Sequence, residues 1–61
     1  MLRIRFSTSN AAFDPASSEV ARILRAIAGK IEYEGETEGR VYDLDGNHIG
    51  QFTFTAKRLN V

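Results

Sequence analysis

Residues 2–6 alternate strictly, Leu-Arg-Ile-Arg-Phe, which puts Leu2, Ile4 and Phe6 on one face of a strand and Arg3 and Arg5 on the other. Ser7-Thr8-Ser9-Asn10 is a run of turn formers that ends it. Further along the period changes. Val20, Ile23, Leu24, Ile27 and Ile31 recur at the spacing of one amphipathic helical stripe, with Glu19, Arg22 and Lys30 on the wet side. Asp14 is placed as the N-cap of this helix and Pro15 as its first residue, where a missing N–H costs nothing. Phe13, just before the cap, is placed to staple the first turns. Gly29 and Gly35 both offer a stop. An internal glycine costs a helix only ~1 kcal/mol relative to alanine, and burying Ile31 offsets that. The pattern therefore predicts a helix from about residue 15 to residue 33, ending at Gly35.

Asp45-Gly46, set between Arg40–Leu44 and His48–Thr55, predicts a β-hairpin. Its register decides which residues meet, because a slip of one turns every side chain to the other face. A two-residue loop of Asp45-Gly46 places Leu44 opposite Asn47 and separates Tyr42 from Phe52. A three-residue loop of Asp45-Gly46-Asn47 places Leu44 opposite His48 and gathers Tyr42, Leu44, Phe52 and Phe54 on one face. The second gives the richer core and is the one expected. It leaves Val41, Asp43 and Ile49 with Arg3 and Arg5 on the other face, joined there by Gln51 and Thr53. Gly50 marks a bulge or a close backbone approach, and the tail from Ala56 to Val61 extends the last strand or frays. The elements assemble as β-α-β-β: a single α+β domain over residues 1–61, with one helix packed on one face of a three-stranded sheet.

Size and charge change what this fold is expected to do. With 61 residues and no cysteine, the chain has neither a large core nor a disulfide framework. Such chains often gain stability by self-association, so a homodimer through a sheet edge or the uncovered face is expected. Eight Lys and Arg balance eight Asp and Glu, which argues against a general polyanion binder. No apolar run approaches the ~20 residues of a membrane span, and the start does not read as a signal peptide, so a soluble cytoplasmic protein is expected.

Little in the chain suggests chemistry. It has one histidine, no cysteine, and no Gly-x-Ser-x-Gly, P-loop or Gly-x-Gly-x-x-Gly pattern. Ser7, Ser9, Ser17 and Ser18 fall in loop or helix-start positions, where hydroxyls serve the backbone. The expectation is no enzyme, no cofactor and no metal. Asp43-Leu44-Asp45-Gly46-Asn47 faintly resembles the start of a calcium loop, but Phe54 stands where the bidentate Glu belongs, and a hairpin turn explains the same residues. His48 is read as a solvated cross-strand residue.

Charge is unevenly distributed. Residues 31–45 hold six acids against one base, net −5. Glu32, Glu34, Glu36, Glu38, Asp43 and Asp45 are thus the candidate surface for capturing a basic protein partner. The alternative is a nucleic-acid surface built from Arg3, Arg5, Lys57 and Arg58. No aromatic platform accompanies those arginines on the strand pattern, since Phe6 lies on the core side.

Three stretches carry a likeness. Asn10-Ala11-Ala12-Phe13, Glu19-Val20-Ala21-Arg22-Ile23-Leu24 and Asp43 to Phe52 (Asp-Leu-Asp-Gly-Asn-His-Ile-Gly-Gln-Phe) together resemble a group of short uncharacterised proteins of tailed phages and prophages. The likeness spans about residues 4–54, and its motifs are those of a fold rather than of a reaction. It implies a phage-encoded accessory protein in the host cytoplasm that binds and inhibits or modulates a host or defence protein, restriction and CRISPR components among them. It transfers no site residue.

Overall fold

A computed structural model describes residues 1–56. The elements run β1 (Leu2–Phe6), a 3-10 turn (Ala11–Phe13), α1 (Ala16–Glu34), β2 (Glu38–Tyr42) and β3 (His48–Phe54). Lys57, Arg58 and the rest of the expected tail lie outside the described residues. The sheet is antiparallel in the order β1-β3-β2, so the last strand sits at the centre between the first and the second. The fold is the expected α+β arrangement, with α1 on one face. Among the described residues no helix is long and apolar enough to cross a membrane.

The helix ends at Gly35, the second of the two candidate stops. Gly35 takes a left-handed conformation (φ 66°), and the Glu36 N–H returns to the Lys30 carbonyl at 3.2 Å. Its start differs from expectation. Pro15 occupies the cap position and no side chain caps the helix, while Asp14 closes the 3-10 turn instead. That turn is itself capped by Asn10, whose Oδ1 accepts from the Ala12 N–H at 2.9 Å. Phe13 leads into the helix as a buried residue and stacks on Phe6 with ring centroids 6.3 Å apart, so the staple reaches β1 as well.

The hairpin register is the main correction. The loop has three residues, but they are Leu44, Asp45 and Gly46, one position earlier than expected. The Asp43 N–H donates to the Asn47 carbonyl and the Gly46 N–H to the Asp43 carbonyl, both at 3.0 Å. Gly46 holds φ 87° at the last loop position, which a glycine occupies without strain and which the expected register would have assigned to Asn47. Beyond the loop Tyr42 pairs with His48, and Val41 with Gly50. This skips Ile49, so β3 carries a bulge there.

The bulge moves Phe52 opposite Gly39, and with it the core. Phe52 is 1% exposed and packs with Phe13, Ile23, Ile27 and Val41, flanked by Ile4, Phe6, Val20, Ile31 and Ile49. Tyr42 (44% exposed) and Leu44 (68% exposed) face water, contrary to expectation. Val41 and Ile49, expected on the far face, belong to the core. Two glycines permit this packing. A Cβ on Gly39 would lie 2.6 Å from the Phe52 ring, and one on Gly50 would lie 2.0 Å from the Arg5 carbonyl oxygen in β1. The sheet can close around Phe52 only if both positions lack side chains.

Candidate functional site

Two constellations of polar side chains stand out, and they do different work. The first joins the β2–β3 loop to the rest of the molecule. Asp43, 4% exposed, receives four donors: the Asp45 and Asn47 N–H groups on Oδ1 (2.9 and 2.8 Å), and the Asn10 and Asn47 side-chain amides on Oδ2 (2.6 and 3.0 Å). Burial raises its pKa, but the donors from Asn47, Asn10 and Asp45 outweigh that, and the carboxyl titrates below its ordinary value. Glu19, 5% exposed and not on the wet side as expected, accepts Arg22 in a bidentate pair (2.7 and 2.9 Å) and the Leu44 N–H at 2.7 Å. The Arg22 bond is the main reason its carboxyl also titrates low.

This cluster is a structural clasp. Both carboxylate oxygens of Asp43 are faced by N–H donors, and the segment Asp43–Asn47 forms the expected hairpin turn. Among the described residues no group of three His, Cys, Asp or Glu side chains is placed to hold a metal. The clasp also disperses the acidic candidate surface. Asp43 is buried and Asp45 lies in the loop, at the far end of β2 from Glu38. Glu32, Glu34 and Glu36 sit with Glu38 around the helix end and the start of β2. The six acids therefore form no single surface: four lie at one end, and the other two belong to the clasp and its loop.

The second constellation is the sheet face opposite α1, and here the bulge matters most. Cross-strand pairing sets Arg5, Gln51 and Arg40 in one row across the three strands, with Gln51 in the middle. The neighbouring row is Arg3, Thr53 and Glu38. On the other side of the arginine row the bulge turns Ile49 into the core and sets His48 beside Tyr42, their ring centroids 5.6 Å apart and tilted by 45°. The His48 Nε2 donates to the Gly50 carbonyl at 2.9 Å, which holds the ring along the strand. Arg5, His48 and Gln51 line one shallow depression, and Arg40, Gln51 and Thr53 line its neighbour.

All the side chains named on this face are exposed. Among the described residues Arg3, Arg5 and Arg40 form no ion pair, and the Arg22 pair with Glu19 lies on the helix. The alternative nucleic-acid surface is thus half recovered: Arg3 and Arg5 share the face, while Lys57 and Arg58 lie outside the described residues. Sequence reasoning missed Arg40, Tyr42 and His48, because the expected register turned Tyr42 into the core and Arg40 away from Gln51. Gly50, read as a bulge or a close backbone approach, lies against β1 and next to the bulged Ile49 that shifts the register.

No protein-family model matches the chain, nor does any curated protein or solved structure.

Proposed function

We infer that the protein is a small non-enzymatic binding protein of phage type, and that its docking surface is the open sheet face rather than the acidic segment. The observation that carries this reading is the row Arg5–Gln51–Arg40 with Arg3 beside it, where, among the described residues, three exposed guanidinium groups stand against one carboxylate, Glu38. Arginine at such a surface matches planar anionic groups through two parallel hydrogen bonds. The ligand this favours is an anionic surface on a host macromolecule, with the host or defence protein implied by the phage likeness as one form of it. Net neutrality does not oppose this, because of the eight acids only Glu38 stands in the rows of the open face, against Arg3, Arg5 and Arg40. As a short chain whose edge strands, β1 and β2, are unpaired on their outer sides among the described residues, the protein is also read as a homodimer.

Tagged wild-type protein and an R5E/R40E variant, both checked for folding by circular dichroism, would be used to capture partners from host lysate. The reading expects the wild type to retain a partner that the variant loses, and that partner to survive neutralisation of Glu32, Glu34 and Glu36. Equal capture by wild type and R5E/R40E would contradict it.

A further inference from the structure

We propose that the open sheet face binds single-stranded nucleic acid, with Arg3, Arg5 and Arg40 on the phosphates and the Tyr42–His48 pair as a platform on which a base stacks. This rests on the reading of that face as the docking surface and goes beyond it by naming the ligand.

Arginines alone accept any polyanion. What selects a nucleic acid is flat, exposed aromatic surface next to the cations, since a base offers a π-face and an acidic protein does not. Tyr42 and His48 supply that surface one row from Arg5 and Arg40, on the same face and at the end away from Glu38. The His48 bond to Gly50 holds its ring in place before any ligand arrives. Gln51, between the two arginines, has both a donor and an acceptor to offer a base edge or a sugar hydroxyl. The face is a shallow, three-stranded surface rather than a projecting ribbon, so it suits splayed bases and not a duplex groove. Glu38 and the acids at the helix end repel phosphate from the opposite corner, which directs the strand across the Arg5–Gln51–Arg40 row.

The test is fluorescence anisotropy of the full chain at low salt with labelled oligothymidylate of roughly ten nucleotides, the length a small single-strand site covers. An oligouridylate of equal length, a duplex of equal length and polyglutamate serve as rival ligands. The expected result is binding of the single strand at least tenfold tighter than of duplex or polyglutamate, with the uridylate arm deciding between RNA and DNA. R5E/R40E should abolish binding, R25E on the helix should leave it within about twofold, and Y42A should weaken it by roughly tenfold where Y42F does not. The salt slope should be near −2, at about −0.7 per phosphate for three contacts.

Absence of single-strand binding at low salt would overturn the proposal, as would equal losses from R25E and R5E/R40E. If polyglutamate matched the oligonucleotide and Y42A changed nothing, the nucleic-acid ligand would be refuted while the docking face stood. Partner capture insensitive to R5E/R40E would instead remove the docking face itself.

Discussion

At the scale of single residues, glycines and one phenylalanine decide the fold. Gly50→Ala would drive a methyl group into the β1 backbone at the Arg5 carbonyl, so it should cost about 3 kcal/mol or unfold the chain. Gly29→Ala, in the helix with open space around it, should stabilise by about 1 kcal/mol. Denaturant titration of the two variants checks both signs. The register is tested as directly: Val41→Ala should cost about 2 kcal/mol and Leu44→Ala under about 0.5 kcal/mol, the reverse of what a core of Tyr42 and Leu44 requires. The apolar alternation of β1 and the stripe of α1 were legible because each repeats over several residues. The hairpin face was not, because its register depends on a one-residue bulge at Ile49 and on which loop position takes a positive φ. Hydrophobic pattern favours the register that collects the most aromatics; backbone geometry at Gly46 and Gly50 overrules it.

At the scale of elements, the clasp fixes the β2–β3 loop onto the start of α1 and onto the 3-10 turn. Asn10 and Asn47 donate to Asp43, while Glu19 joins Arg22 to the Leu44 N–H, so residues far apart in the chain meet at the loop. Their spacing in the chain gives no hint that Asn10 reaches Asp43. The clasp has a pH signature. Glu19 and Asp43 both titrate below their ordinary values in the folded chain, so their contribution is complete above the ordinary carboxylate range and is lost as pH falls through the lower, folded values. Thermal melts by circular dichroism should show a Tm that is steady above about pH 5 and falls below about pH 4. An E19Q/D43N variant should melt lower at neutral pH and show a shallower acid limb; an unchanged limb would mean that these carboxylates do not govern it.

At the scale of the whole molecule, the helix and the open face divide the labour. The helix side buries Phe52 and its neighbours; the far side of the same three strands presents arginines and an aromatic pair to water. Light scattering on a sizing column should give twice the chain mass for the expected homodimer, and the mass of one chain would remove that part of the account. The central claim is that anions dock on the sheet face, and an amide-resolved NMR titration with inorganic polyphosphate tests it most directly. Shift changes concentrated at Arg3, Arg5, Arg40 and Gln51 are the predicted result. Changes centred on Arg25 and Lys30 of the helix, with the sheet amides unmoved, would contradict it.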